Sequence, residues 1–252
     1  MASRIGWLEA YSVGEYDKTG HLSSGIRAKL WNTPGIFPAT DELFGRFYNI
    51  FTRAIGCADL LGLLQCPYEK ITIEKHAKSP LLCSIGDLEP YFSPTPWSAH
   101  LEGKKVLIVH PFEKSIKRQY IEFRENIFIN KAILPEFQLI TLRPPQTLCG
   151  NSDGYRDWVH AYNSTIQKIS GIDFDVAIVG SGSYGLPLGA FIKEMGKVCV
   201  HLGGAVQNLF GITGGRWMEM PSFRALMNPY WVKPLEEERP PNWITAENGC
   251  YW

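Results

Sequence analysis

Residues 178–189 read IVGSGSYGLPLG, in which Gly180, Gly182 and Gly185 fit the spacing G-x-G-x-x-G. The apolar run DVAIV (175–179) comes just before, and a short helical pattern follows. Glycines between a strand and a helix let backbone amides at the helix N-terminus face the oxygens of a diphosphate. A dinucleotide site of this kind also needs an acid about 20 residues further on, at the end of the next strand, to hold a ribose hydroxyl. That place holds His201, Leu202, Gly203 and Gly204, with no carboxylate. The pattern therefore points to a diphosphate or sugar beside Gly180, Gly182, Tyr184 and Gly185 more than to NAD(P). A tight turn in a packed sheet is the structural alternative.

His110 directly follows the apolar run KKVLIV (104–109), with Ser115, Arg118 and Gln119 in the first turns of the next helical pattern. His201 ends another apolar run, and Gln207 and Asn208 follow it. Two histidines at neighbouring strand ends can converge on one ligand. His110, Ser115, Gln119, His201, Gly203, Gly204 and Gln207 are therefore candidate site residues, the alternative for each histidine being a structural hydrogen bond. Two segments carry an acid after a glycine: RIGWLE (4–9) and SIGDLEPYF (84–92). Asp87 and Glu89, two apart, are candidates to chelate a divalent ion through oxygen. A turn with solvated carboxylates is the alternative.

These groups need a frame to hold them, and the chain alternates cleanly from Lys104 onward. KKVLIV, FQLITL (137–142), DVAIV and VCVHL (198–202) read as strands. Between them, Ile116, Tyr120, Phe123 and Ile127 mark one helix, with Pro135 as its stop. Trp158, Tyr162, Ile166 and Ile169 mark a second, and Leu188, Phe191, Ile192 and Met195, closed by Gly196, a third. Such alternation predicts a Rossmann-like α/β fold, a parallel sheet with helices on both faces, whose ligands sit at the C-terminal ends of the strands. The first hundred residues are less regular. Thr40 caps a helix bearing Leu43, Phe44, Phe47, Phe51 and Ala54, residues 57–66 read as a second helical piece, and 91–97 as an ordered loop. The expectation is a single domain of 252 residues: an irregular N-terminal part (1–100), regular β/α units (104–204) and a C-terminal tail (205–252) wrapped on them.

Composition narrows the function. Twenty-five basic residues balance 25 acidic ones, so no net field draws the chain to nucleic acid or an anionic membrane. No apolar run approaches the ~20 residues of a membrane helix, and MASRIGWLEAY lacks the basic and apolar regions of a secretory signal. The six cysteines are scattered without a C-x-x-C pair, as expected of reduced thiols in a cytoplasmic protein.

The series RIGWLE, LEPYF, GKKVLIVHPFEKSIKRQY, ILPEFQLITL, FDVAIVGSGSYGLPL, GKVCVHLGGAVQNLFGITGGRW and ENGCYW resembles a group of bacterial proteins found among polysaccharide-synthesis genes. These look like relatives of the GT-D glycosyltransferases, a Rossmann-like class distinct from GT-A and GT-B. The resemblance spans nearly the whole chain and is most specific over 106–120 and 174–217. GT-D enzymes resemble R-x-G-D-x-E near the N-terminus, where the acid pair is associated with the sugar nucleotide and metal. Arg4, Gly6 and Glu9 match, but Trp7 stands where the first acid would be, and only three residues precede the motif where the family has a strand. Asp87-Leu88-Glu89 repeats the Asp-x-Glu spelling elsewhere and is the weaker match.

The resemblance implies a cytoplasmic glycosyltransferase of surface-polysaccharide biosynthesis. Its donor would be a nucleotide sugar such as a UDP-sugar, its acceptor a glycan or lipid-linked glycan, and its candidate metal Mn²⁺ or Mg²⁺. Arg4 and the amides near Gly182 would serve the diphosphate, and Gly6 would line the substrate site. Glu9 would sit at the reacting centre, with His110 or His201 as polar partner. A non-catalytic sugar- or nucleotide-binding protein, favoured by Trp7, and an NAD(P)-dependent oxidoreductase, favoured by the glycine spacing alone, are the alternatives.

Overall fold

The computed structural model describes residues 24–65 and 69–252. The four apolar runs form β3 (Lys105–Val109), β4 (Gln138–Leu142), β5 (Val176–Val179) and β6 (Val198–His201). They make one parallel sheet in the order β4-β3-β5-β6, with Val106 registered against Leu139 on one side and Val176 on the other. The intervening helices are α4 (Glu113–Ile127), α5 (Trp158–Ser170) and α6 (Gly185–Glu194). This is the expected Rossmann-like α/β architecture.

The two-residue period of the strands sends their side chains to two cores. Val106, Ile108, Val176 and Ile178 pack with Ile116 and Tyr120 of α4 and with Phe210, Ile212 and Trp217 of the C-terminal segment. Leu107, Val109, Ala177 and Val179 pack on the opposite face against α2 (Asp41–Gly56), α5 and α6. α2 begins as its sequence predicts, with Thr40 Oγ1 accepting the Leu43 N–H, and buries Leu43, Phe44, Phe47, Phe51 and Ala54. A further helix, α1 (Ser24–Asn32), precedes it. Because β4 and β5 flank β3 on opposite sides, the chain leaves β3 and β5 in opposite directions. The crevice between their C-terminal ends is the switch point where open parallel sheets bind ligands.

Two expectations need correction. The stretch 57–66 contributes not a helix but β1 (Leu60–Leu63), which pairs in parallel with β2 (Leu81–Ser84) through the crossover helix α3 (Glu69–His76). At Gly62 an added Cβ would lie 2.7 Å from Leu88 Cδ1, so the backbone is closely overlaid by the turn that follows β2. Secondly, α4 ends at Ile127, well before Pro135. The Ile127 carbonyl is taken by Asn228 Nδ2 (3.0 Å) and Trp231 Nε1 (3.4 Å), so distant side chains cap the helix. Among the described residues no helix is long and apolar enough to cross a membrane.

Candidate functional site

A cavity of about 560 Å³ opens at the C-terminal ends of β3, β5 and β6. His110 to Phe112, Gly180 to Gly182 and Leu202 to Ala205 form its base. Gly86 and Glu89 enter from the turn after β2, and Arg216, Trp217, Tyr251 and Trp252 from the C-terminal segment.

The three glycines of the loop differ in role. The Gly180 N–H donates to the Val109 carbonyl (2.8 Å), so it belongs to the sheet. A Cβ there would strike the Gly203 carbonyl and lie 2.6 Å from His110 Cδ2, so Gly180 is where the ends of three strands close together. Gly182 is exposed on the cavity with φ +58°, a left-handed conformation that favours glycine. Gly185 lies under the His201 ring, which occupies the place of its missing Cβ. Tyr184 is a strut. Its ring stacks on Trp158 at 4.9 Å, and its hydroxyl meets Thr147 Oγ1 at 2.8 Å. Thr147 in turn donates to the Gly35 carbonyl, so Tyr184 is the donor. Burial drives its phenol well above the ordinary range.

The two histidines present opposite polarity. His110 is buried, and its Nδ1 accepts the Phe112 N–H at 3.0 Å. Burial holds its pKa down at about 3, so the ring is neutral and its one proton resides on Nε2. His110 is therefore a hydrogen-bond donor and not a base. In neutral His201 the proton is on Nδ1, which donates to the Val179 carbonyl (2.9 Å) and leaves Nε2 an acceptor.

Glu89 is the cavity's carboxylate among the described residues. Burial raises its pKa to about 7, against the smaller opposing effect of a hydrogen bond from Tyr91. A carboxyl that exchanges its proton near neutrality is suited to general acid–base work. Asp87 is placed differently: it is exposed, and its Oδ2 accepts the Ser84 N–H (2.8 Å), capping the turn Ile85–Leu88. The two acids serve separate partners. Among the described residues no group of three histidines, cysteines or acids is placed to hold a metal ion.

Other candidates are structural supports. Ser115 is buried against Glu238: its Oγ donates to that carboxylate and accepts the Leu235 N–H (3.0 Å). Gln119 Nε2 donates to the carbonyls of Phe210, Gly211 and Tyr230. Neither reaches the cavity. Gln207 lines it, but its amide holds the carbonyls of Ile212 (3.3 Å) and Tyr251 (3.2 Å) and so fixes the C-terminal wall. Gly203 turns with φ +61°. Gly204 leaves room for the Tyr251 ring, which an added Cβ would approach to 2.5 Å. Arg4, Gly6, Trp7 and Glu9 lie outside the described residues.

Sequence reasoning missed the wall formed by the C-terminal segment. The Arg216 guanidinium lies 4.8 Å from the centre of the Tyr251 ring and pairs with Glu247. Trp252 packs edge-on to Phe112 at 5.8 Å. The only signal was the density of glycine and aromatics in GGRW and NGCYW. Comparison with known proteins returned no matching family model, no matching curated protein and no matching solved structure.

Proposed function

We propose that the protein is a cytoplasmic glycosyltransferase that binds a nucleotide sugar, such as a UDP-sugar, in the switch-point cavity and passes the sugar to a glycan or lipid-linked glycan hydroxyl. One observation carries this reading. The glycine loop after β5 and the Gly86-Asp87-Leu88-Glu89 segment after β2, far apart in sequence, line the same cavity through Gly180, Gly182, Gly86 and Glu89. Glycosyl transfer needs charge relief on the leaving diphosphate and a base for the acceptor hydroxyl. The turn at Gly182 and the Arg216 guanidinium supply the first. Glu89 supplies the second: the acceptor oxygen bonds to the anomeric carbon, the bond from that carbon to the diphosphate oxygen breaks, and the acceptor proton passes to the Glu89 carboxylate. His110 Nε2–H holds a ligand oxygen. The described acids and histidines do not assemble a cation site, so no step is routed through Mn²⁺ or Mg²⁺.

The test is thermal denaturation against a panel of nucleotide sugars, nucleoside diphosphates and NAD(P)(H), each with and without Mn²⁺. A nucleotide sugar at about 100 times Kd should stabilise the fold by roughly 2.7 kcal/mol. A response to NAD(P)(H) with none to any nucleotide sugar overturns the reading. Stabilisation without turnover makes the protein a binding module.

A further inference from the structure

A second cavity, of about 540 Å³, lies between α2, β1, α6 and the edge strand β6. It shares Leu64, Ile85 and His201 with the first, so the two adjoin across these residues. Its chemistry is different. Each charged side chain on its wall is already held by the protein. Lys193 pairs with Asp59 at 2.6 Å, and the Glu69 carboxylate accepts the N–H groups of Leu64 (3.0 Å) and Gln65 (2.7 Å). Lys197 Nζ lies over the Phe174 ring at 5.7 Å, and His201 donates to the Val179 carbonyl. What remains for a ligand is hydrocarbon, chiefly Leu60, Leu61, Ile73, Leu88, Leu186 and Val200. Burial pushes the Cys199 thiol in this wall up to about 12, as a low-dielectric setting requires. Leu60 and Val198 on its rim remain 44% and 59% exposed, apolar surface that a bound ligand would cover.

The switch-point cavity sets Glu89 and the His110 ring among its apolar residues, the second offers hydrocarbon alone, and the two share three residues of wall, which matches the two ends of an amphipathic molecule. We propose that the second cavity binds a linear hydrocarbon chain, alkyl or isoprenoid, of an amphipathic ligand whose polar head lies in the first. The inference stands on the cavity's chemistry and not on glycosyl transfer.

The full-length protein is titrated with 1-octanol, 1-decanol and 1-dodecanol, which carry no sugar and no phosphate. Each buried methylene strengthens binding about fourfold, so dodecanol should bind roughly two hundred times tighter than octanol. Location is tested with Gly189→Leu on α6, where an added Cβ would lie 3.5 Å from Cys199 Sγ, an ordinary contact, so the leucine stands in the cavity. It should weaken dodecanol binding at least tenfold and leave the nucleotide-sugar response unchanged. Ala190→Leu, on the same wall, serves if Gly189→Leu does not fold. A photoreactive dodecyl diazirine should label residues 54–64 and 186–201. A series without chain-length dependence, undiminished binding by the folded filled variant, or labelling elsewhere, including residues 1–23, overturns the proposal. None of these results bears on whether a nucleotide sugar binds, so the two readings fail separately.

Discussion

Replacing Glu89 with glutamine should make the protein more stable at alkaline pH and, on the proposed function, abolish sugar transfer. Burial holds the Glu89 carboxyl at about 7, against 4.5 for an unperturbed glutamate. Between those pH values the native state keeps a proton that the unfolded chain has lost. Stability therefore falls as pH rises from about 4.5 to about 7 and is flat above. A difference of about 2.5 pH units is worth at most ~3.4 kcal/mol. Glu89 is partly exposed, and solvent screening brings the expected effect to about 2 kcal/mol. Glutamine keeps the shape and does not titrate. Glu89→Gln should match the unmutated protein at pH 4 and exceed it by about 2 kcal/mol at pH 8. Urea unfolding midpoints at pH 4, 5.5, 7 and 8, at equal m-value, measure the difference. A gap that does not vary with pH, or a glutamine variant weaker at pH 8, refutes the reasoning. The same variant should lose turnover of whichever donor proves active. If Glu9→Gln abolishes turnover and Glu89→Gln does not, the reacting carboxylate belongs to RIGWLE.

Gly180→Ala should cost about 1–3 kcal/mol in urea, because its Cβ meets the Gly203 carbonyl and His110. Gly182→Ala should cost only about 1 kcal/mol, from its left-handed backbone, yet weaken ligand binding more than Gly180→Ala does per unit of lost stability. Ser115→Ala strips buried Glu238 of a donor and should destabilise by about 1–3 kcal/mol, with ligand affinity unchanged in the folded protein. An NMR titration should find the His110 ring neutral down to pH 4. Its pKa is depressed from 6.5 to about 3 on folding, so its contribution to stability is lost as pH falls from 6.5 towards 3.

The four central strands were legible because β3 and β5 are buried on both faces and read as unbroken apolar runs. β1 and β2 were not. LLGL and LLCS are four residues each and open on adjacent leucines, too short to show either a two- or a 3.6-residue period. Gly62, within the stretch expected to be helical, was the available sign of a close backbone approach. The site shows the same division. The strand ends and their glycines could be placed from the sequence, because the topology rule puts ligands there. The separate duties of Gly180 and Gly185 could not, since they depend on His110 and His201 ring positions. Ser115 looked functional because its partner Glu238 lies 123 residues away and nothing local announces the pairing. That Glu89 lines the cavity could not be read from the sequence, because only the fold carries the turn after β2 to the sheet's C-terminal edge.

Every ladder in the described chain is parallel, so no pair of strands can form by simply folding back on itself. Val106 must find Val176 seventy positions further along before the sheet is continuous, whereas β6 reaches β5 through the shorter crossover of α6. Loop-closure entropy is therefore met before the central contacts return any energy, which makes for slow folding. The wall of Tyr251 and Trp252 depends on that sheet, since it rests on Gln207 and Gly204 just beyond β6. During refolding, tryptophan signals from the C-terminal segment should thus appear after the sheet has formed, and ligand-binding competence should appear with them rather than with the sheet.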